Sequence, residues 1–287
     1  MPLPLTVLMI TLNEAHNMRA VLDDIDGWAE QAFVVDSFSS DDTVDIALSR
    51  GAHVVQRKFT GFGDQWNYAL SLPIKTPWTI KLDPDERLTD ALKSSIARTI
   101  ETGDRTGYEI NRRLWFMGKP MPVVRADMRL WKTGSAKFTD VLVNEHPVID
   151  GSTGRLDGEL QHHDSPNLHH WFQKQNAYGT SEAVSRFRDA PLAAEPKLGG
   201  TSLERRMWLK KQFWRIPGRY HLIFWYHLLV QGAWKAGRVG WIWSHLRTEH
   251  RRNQEFKLTE MKLAGTEYAL PASGNGPPHP QAVQAED

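Results

Sequence analysis

The segment WTIKLDPDERL, residues 78–88, joins a short apolar run to a dense group of carboxylates. The run 78–82 has the length and composition of a strand that is buried on both faces. Asp83, Asp85 and Glu86 follow it directly. Taken alone, such a sequence is also typical of an ordinary turn, because Asp and Pro both favour turns. The role of the carboxylates therefore depends on which other segments meet the end of this strand.

Upstream of this segment, strand patterns and helix patterns alternate. Asn13 and Thr89 are candidate N-caps, and the sequence SSDDT supplies capping and first-turn acidic residues for a further helix. This alternation predicts an α/β fold with a mostly parallel sheet and helices on both faces. The predicted strands are 5–11, 32–36, 53–56 and 78–82, and the predicted helices are 15–28, one that ends near residue 50, 62–72 and 90–102.

The pattern changes in the second half of the chain. Strands are predicted at 107–112 and 128–131, joined by the loop FMGKPMPVV, and a helix is predicted at 168–187. The Pro- and Gly-containing stretch before residue 203 is typical of a linker. Residues 203–262 are predicted to be helical, with breaks near Pro217 and at the Gly237/Gly240 pair. The tail contains little to bury, so we expect it to be disordered.

Composition narrows the class of protein. The 287 residues include no cysteine, which excludes disulfides, thiolate metal sites and a cysteine nucleophile. The net charge is only +1, so no global field indicates nucleic acid. We expect no signal peptide, because the amino terminus lacks a basic stretch followed by an apolar one. We expect no transmembrane helix, because no apolar run reaches the roughly 18–20 residues that a span requires.

Polar side chains follow three of the predicted strands. Thr11 ends the first and Glu14 follows it, Asp36 ends the second, and Asp83 and Asp85 follow the fourth. The carboxyl ends of strands in an open α/β sheet form its ligand-binding edge, so these residues should converge. Asp83 and Asp85 could share one cation, and their oxygens suit Mg²⁺ or Mn²⁺. Such an ion could bridge the phosphates of a nucleotide.

The ordered motifs VLMITLNE, VVDSFSSDDT, GFGDQWNYAL and KLDPDERL resemble the nucleotide-sugar-binding half of family 2 glycosyltransferases with the GT-A fold. Within that family the chain is similar to bacterial lipopolysaccharide-core glycosyltransferases, and the likeness continues through MRLWKTG, VLVNEHPVIDG and LQHHD. The resemblance implies a catalytic domain over 1–190, with a nucleotide-binding half at about 1–105 and an acceptor half at about 106–190. A linker at 191–202, a membrane-associating region at 203–262 and a disordered tail at 263–287 would follow.

The resemblance also implies roles for single residues. Leu12 and Glu14 would line the base and ribose pocket, with support from Thr11. Asp36 would hydrogen-bond a uracil ring, and Gln65 would contact the base or a phosphate. Asp83 would lie near the ribose. Asp85 would ligate the metal, with Asp83 and a histidine as further ligands. Glu86 is either an anchor behind the site or a helix cap, and we favour the anchor.

An inverting transfer also needs a general base on the acceptor side of the sugar. Glu145 matches the acidic position of the family and is our candidate, with Asp140 as the alternative. His162 and His163 both lie where related enzymes place a histidine near the metal or the diphosphate, and we assign the role to His163. Arg129 and Arg125 are candidates for phosphate contact or for structural ion pairs. Weaker candidates are His146 and Arg112.

Residues 203–262 carry thirteen Lys/Arg, four Asp/Glu and six of the twelve Trp. Tryptophan prefers membrane interfaces, and basic residues attract anionic lipid. We expect this region to hold the protein peripherally at the cytoplasmic face of the inner membrane. The alternatives are a helical cap that packs on the catalytic domain and, less favoured, a surface for single-stranded nucleic acid.

Together these features predict a metal-dependent inverting glycosyltransferase. Its donor would be a nucleotide sugar, with UDP-sugar favoured, and its acceptor a glycolipid such as lipopolysaccharide core or a polyprenyl-linked saccharide. One rival is a sugar-phosphate nucleotidyltransferase, which usually has a Gly-rich basic loop where this chain has TLNEAHN. Another rival is a non-catalytic membrane adaptor that keeps the same fold.

Overall fold

The computed structural model describes residues 1–139, 146–190, 192 and 194–270. The first half alternates as predicted. Its elements are β1 (Leu3–Thr11), α1 (Ala15–Ile25), β2 (Ala29–Asp36), α2 (Thr43–Ser49), β3 (His53–Gln56), α3 (Phe62–Leu70), β4 (Trp78–Lys81), β5 (Glu86–Leu88) and α4 (Asp90–Thr102). The remaining elements are β6 (Gly107–Phe116), β7 (Lys119–Lys132), β8 (Ala136–Phe138), β9 (Pro147–Ile149), β10 (Thr153–His163), α5 (Leu168–Phe187), α6 (Ser202–Phe213), α7 (Arg219–Trp225) and α8 (Arg238–Ala264).

One large sheet organises the chain, with the strand order β3-β2-β1-β4-β7-β6-β10-β5. The strands β3, β2, β1 and β4 are mutually parallel. Beyond β4 the sheet becomes mixed, because β7 is antiparallel to both of its neighbours and β5 is antiparallel to β10. The predicted α/β class is confirmed, with the parallel pairing concentrated in the amino-terminal half.

Side chains of β1 explain why both faces of the sheet are covered. Val7 and Met9 point into a core that also contains apolar residues of α1, α2 and α4, whereas Leu8 packs with Trp66 of α3 on the other face. Because alternate residues of a strand face opposite sides, a continuous apolar run must be buried on both. The structure is therefore a helix–sheet–helix sandwich in this half, as the sequence predicted.

The first helix begins differently from the prediction. Asn13 does not cap α1; it adopts φ 55° and its Oδ1 accepts a hydrogen bond from Ser40 N at 2.9 Å. Glu14 occupies the N-cap position, and its own backbone N–H bonds Thr43 Oγ1 at 2.8 Å. The loops that follow β1 and β2 are thus tied to each other, which fixes the shape of this edge of the sheet. Thr89 caps α4 as predicted.

The carboxyl-terminal region folds back on the body. Between α7 and α8 lie a π-helical turn, Tyr226–Val230, and a 3₁₀ turn, Ala233–Ala236. Ala233 and Trp243 are buried with Phe116 and Met121 of the β6–β7 hairpin. Gly240 lies inside α8, where a Cβ would stand 1.7 Å from the Ala233 carbonyl oxygen, so it permits a close approach and does not break the helix. In this part the helical-cap interpretation is correct.

Candidate active site

The carboxyl ends of β1, β2 and β4 meet, as the parallel pairing requires. Thr11 is the register partner of Asp36, and Leu8 is the partner of Lys81. Asp36 is fully buried and accepts hydrogen bonds from Thr11 Oγ1 at 2.9 Å, Ser39 N at 2.8 Å and Gln56 Nε2 at 3.1 Å, together with the Ser39 hydroxyl at 2.5 Å. In this conformation Asp36 orders the loop after β2, and a direct bond to a uracil ring requires one of these partners to yield.

Gln65 and Leu12 lie at the same edge. Gln65 is fully buried, accepts a hydrogen bond from Arg57 Nη1 at 2.9 Å and donates one to Ser37 Oγ at 3.2 Å. Leu12 is partly buried between β1 and α1. Asn67, two residues further along α3, holds β8 through both backbone groups of Phe138. Gln65 and Leu12 thus lie at the edge where the base pocket is predicted, and their contact with a base stays a prediction, whereas Asn67 is structural.

In the turn after β4, two of the three carboxylates, Asp83 and Glu86, bind one arginine. Glu86 is fully buried, and its Oε2 accepts a hydrogen bond from Asp83 N at 3.0 Å while its Oε1 accepts one from Arg129 Nη2 at 2.7 Å. Arg129 also donates to Asp83 Oδ2 from both terminal nitrogens at 3.1 Å. Glu86 is thus the anchor that we favoured, and Arg129 forms the structural ion pair that was the alternative to a phosphate contact.

Asp83 consequently differs from Asp85 in its surroundings. Burial alone would raise the pKa of Asp83, but Arg129 and Lys81 hold that pKa below its usual value. Its carboxylate is committed to Arg129, and it is not part of the cluster that surrounds Asp85. The prediction that Asp83 ligates the metal directly is therefore not supported by this arrangement, whereas a place beside the ribose stays a prediction.

A long-range strand pairing brings a histidine to Asp85. Strand β5 pairs antiparallel with β10, His162 is the register partner of Glu86, and His163 N donates to the Asp85 carbonyl at 2.7 Å. Because side chains alternate along a strand, the two histidines point in opposite directions. His162 Nε2 lies 3.3 Å from Asp85 Oδ2, whereas the His163 ring stacks on Trp115 at 4.9 Å. The structure therefore places His162, and not the predicted His163, against Asp85.

Asp85, His162 and Asp164 form a compact donor set. One ligand atom from each lies within 4.8 Å of the other two, which is a distance that a single ion can bridge. Two carboxylate oxygens and one imidazole nitrogen suit Mn²⁺ and, with water completing the shell, Mg²⁺. Burial opposes ionisation of Asp85, but His162 and Lys174 hold its pKa well below the ordinary value, so the carboxylate is ionised at neutral pH.

Lys174 of α5 completes this cluster. Its Nζ lies 3.2 Å from Asp85 Oδ2, 3.2 Å from Asp164 Oδ1 and 3.0 Å from the Asp164 carbonyl oxygen. Burial would lower the pKa of Lys174, but Asp164 and Asp85 raise it above its usual value. Neither Lys174 nor Asp164 was singled out from the sequence. The alternation in HHD, which puts His162 and Asp164 on one side of an extended chain, was the available signal for Asp164.

Glu14 stands at the rim of the same cluster. Its Oε2 accepts a hydrogen bond from Asn17 Nδ2 at 2.8 Å. Burial, with a further contribution from Asp85, raises the pKa of Glu14 to about 7. A carboxyl with this pKa changes charge near neutral pH, so the charge of the cluster depends on pH in the physiological range.

The remaining candidates divide into two groups. Arg112 bonds Asp127 at 3.2 Å, and Arg125 is mostly exposed near the same carboxylate, so both are ion-pair residues here. His146 contacts Arg206 of α6, and burial together with this cation lowers the pKa of His146 to about 4. Glu145, the predicted base, and Asp140, its alternative, lie outside the described residues, and their roles stay predictions.

Comparison with known proteins agrees with this geometry. Residues 6–140 match the model of Glycosyl transferase family 2. An uncharacterised glycosyltransferase of Rickettsia prowazekii is 26% identical over 195 residues, which cover 62% of this chain and 66% of the relative. A lipopolysaccharide core biosynthesis glycosyltransferase of Rhizobium meliloti, LpsC, is 28% identical over 193 residues, which cover 63% of this chain and 71% of that protein.

Solved structures match a smaller part of this chain than the sequence relatives do. Mannosyl-3-phosphoglycerate synthase from Rubrobacter xylanophilus superposes with a TM-score of 0.34 and 22% identity, over 39% of this chain and 41% of that one. Glucosyl-3-phosphoglycerate synthase from Mycobacterium tuberculosis gives 0.33 and 23%, over 38% and 44%. The family match is the informative result, because its residues include the β1, β2 and β4 ends and the turn that carries Asp85. Residues 6–140 thus match the Glycosyl transferase family 2 model, and the chain is similar to a lipopolysaccharide core biosynthesis glycosyltransferase.

Proposed function

We propose that this protein is a metal-dependent inverting glycosyltransferase that moves a sugar from a nucleotide-sugar donor, with a UDP-sugar favoured, to a glycolipid acceptor. The observation that carries the proposal is the meeting of Asp85, His162 and Asp164 within 4.8 Å at the carboxyl edge of the sheet. This edge is where open α/β sheets bind their ligands, and Asp85 lies within residues 6–140, which match the glycosyltransferase family 2 model.

The residues present fit a divalent ion. Asp85, His162 and Asp164 would hold Mg²⁺ or Mn²⁺, which when bound neutralises charge on the departing nucleoside diphosphate. The other residues prepare the site. Glu86 and Arg129 fix the turn that presents Asp85, and the paired loops around Asp36 shape the space where the nucleoside would lie.

Transfer with inversion requires removal of the acceptor proton as the hydroxyl oxygen attacks the anomeric carbon. We assign this step to Glu145, with Asp140 as the alternative, since a carboxylate that faces the sugar from the acceptor side can accept this proton. The bond between the anomeric carbon and the diphosphate oxygen breaks at the same time, and the diphosphate leaves with the electron pair of that bond.

A lipid-linked acceptor is supported by the surface of the carboxyl-terminal region. Seven large apolar side chains within 222–241 are between 47% and 75% exposed, namely Leu222, Trp225, Tyr226, Leu229, Val230, Trp234 and Trp241. The whole stretch 205–248 contains nine Lys/Arg and no Asp/Glu. Exposed indoles beside basic residues are typical of proteins that rest on anionic lipid. We therefore propose peripheral attachment to the cytoplasmic face of the inner membrane.

Crossing the bilayer is a separate matter. Among the described residues, none of the helices combines the length and the apolar character that a membrane span requires.

The test is metal-dependent thermal stabilisation by a panel of uridine and guanosine diphosphate sugars. We expect one of them to raise Tm in Mn²⁺ but not in EDTA, and Asp85→Asn to abolish this shift. Asp157→Asn, which changes an exposed carboxylate outside the cluster, should leave the shift intact. If no nucleotide sugar changes Tm in either condition, the proposal is wrong.

Product analysis separates the rivals. Slow hydrolysis of the stabilising donor to a nucleoside diphosphate and a free sugar, lost in Asp85→Asn, would exclude the non-catalytic adaptor. Release of pyrophosphate from a nucleoside triphosphate and a sugar phosphate would instead identify a nucleotidyltransferase.

A further inference from the structure

An ammonium group lies against two of the three candidate metal ligands. Lys174 Nζ lies 3.2 Å from one carboxylate oxygen of Asp85 and 3.2 Å from one of Asp164. Its side chain is only 20% exposed. Two of the three candidate metal ligands therefore already share a counter-ion that the chain itself supplies.

The position of Lys174 is fixed by the helix that carries it. Helix α5 begins at an Asn167 side-chain cap directly after β10 and packs along α8. Lys257 of α8 donates from its Nζ to Asn176 Oδ1 at 2.7 Å and to Thr180 Oγ1 at 2.7 Å, which holds the outer side of α5 in place. The backbone of α5 is thus well anchored, whereas the four-carbon stem of Lys174 can still change its rotamer.

A divalent ion and the ammonium cannot both keep these places. An ion bound to Asp85 Oδ2 at about 2.1 Å would lie no more than about 5.3 Å from Nζ, since Nζ is 3.2 Å from the same oxygen. The same Oδ2 already faces His162 Nε2 at 3.3 Å. Two like charges at this separation in a partly buried site repel each other, which favours movement of the more mobile one.

We propose that Lys174 is a displaceable counter-ion that couples metal binding to diphosphate binding. Before the donor binds, its ammonium balances Asp85 and Asp164; when a divalent ion takes over this role, Lys174 turns away and binds the diphosphate of the nucleotide. Lysine is well suited to both positions, because its ammonium is a compact charge with three donors and pairs readily with phosphate. The inference rests on the proposed function and names Lys174 as a positioning and donor-binding residue.

This arrangement has a consequence for affinity. The ion alone must displace Lys174 from two carboxylates without offering it a new partner, so binding of the ion alone is weak. When a diphosphate is present, the released ammonium gains an anionic partner, so the ion and the diphosphate each strengthen the binding of the other. Coupling between two ligands of one protein typically amounts to about 5–150-fold in affinity.

The experiment measures the Kd of Mn²⁺ for the full chain, with and without UDP, by the electron paramagnetic resonance signal of free Mn²⁺. In wild type we expect weak binding that UDP tightens. In Lys174→Met we expect Mn²⁺ alone to bind at least about tenfold more tightly and the effect of UDP to shrink, in line with the usual size of such coupling. Lys262→Met is the matched control, because it removes an exposed ammonium from α8, and both Kd values should stay unchanged.

A second readout covers loss of stability in Lys174→Met, which leaves Asp85 and Asp164 without their counter-ion. Saturating Mn²⁺ should then raise Tm more in the variant than in wild type, because the ion supplies the missing charge. Lys174→Arg, which keeps the charge, should retain the weak binding of Mn²⁺ alone.

The outcomes separate this inference from the proposed function. If wild type binds Mn²⁺ neither alone nor with UDP, the metal-dependent function fails and the inference fails with it. If wild type binds Mn²⁺ and Asp85→Asn abolishes binding, but Lys174→Met matches wild type in both Kd values, only the counter-ion inference is overturned. The same holds if Lys174→Met binds Mn²⁺ more weakly than wild type, because Lys174 would then support the ion and not compete with it.

Discussion

Replacement of Arg129 by methionine should show how strongly one buried guanidinium holds the acidic turn together. Arg129 is 3% exposed and donates three hydrogen bonds, two to Asp83 and one to Glu86. Methionine has a similar volume and no charge, so the change removes the ion pair while the packing is largely kept. Two carboxylates that were neutralised by the same group then remain in the protein.

The cost follows from the burial of these partners. Removing one side of a buried ion pair typically destabilises a protein by about 3–5 kcal/mol, because a charge stays in the interior without compensation. Glu86 is fully buried and bears the larger share, although Arg112 remains 3.5 Å away. The Asp83 side chain is 27% exposed, so water replaces part of what it loses. We therefore expect a loss near the lower limit, about 3 kcal/mol in the free energy of unfolding.

Urea unfolding followed by tryptophan fluorescence measures this loss. Arg155→Met is the control, because Arg155 forms an ion pair with Glu109 in which the two side chains are 58% and 41% exposed, and such pairs contribute at most about 1 kcal/mol. The loss in Arg129→Met should also shrink between pH 8 and pH 5, since without Arg129 the folded-state pKa values of Glu86 and Asp83 rise and protonation removes the uncompensated charge. A loss below 1 kcal/mol, or one that grows as the pH falls, would refute this reasoning.

Three further predictions test other parts of the molecule. Glu14 has a folded-state pKa of about 7, above its ordinary value, so wild type should lose stability as pH rises from 4.5 through 7. Glu14→Gln should flatten this dependence of Tm on pH across pH 5–8. An unchanged slope in the variant would contradict the raised pKa of Glu14. Gly240→Ala should destabilise the protein by roughly 1–3 kcal/mol, because a Cβ would stand 1.7 Å from the Ala233 carbonyl oxygen. Gly199→Ala, with open space around it, should leave the free energy of unfolding in urea unchanged. The double change Trp225→Ser and Trp234→Ser should weaken binding to phosphatidylglycerol vesicles in sedimentation by about tenfold or more, since each lost indole removes roughly 1–2 kcal/mol of apolar burial. Phe172→Ser, which changes an equally exposed aromatic residue on α5, should have little effect. Equal losses in the two variants would argue against the proposed lipid surface.

Alternation of apolar strands and capped helices determined the first half of the fold. Thr11 and Asp36 could be placed side by side from the sequence, because the ends of adjacent parallel strands share one edge of the sheet. Thr89 as a cap and the anchor role of Glu86 were also predictable, since both depend on neighbours within a few residues or on burial at the end of an apolar run. These features depend on short-range spacing, which can be inferred from a single amino-acid sequence.

Only the tertiary structure decided which groups surround Asp85. Strand β10 is interrupted by Gly158 at φ 90°, close to an irregularity in its pairing with β6, and this weakened its strand pattern. Its register against β5 selects His162 over His163, and a shift of one residue would have reversed the choice. Lys174 lies on a helix almost ninety residues further along the chain than Asp85. Asn13 connects two loops and does not cap α1, because its side chain accepts a hydrogen bond from Ser40. Contacts of this kind depend on register and packing between distant segments, and local sequence does not encode them.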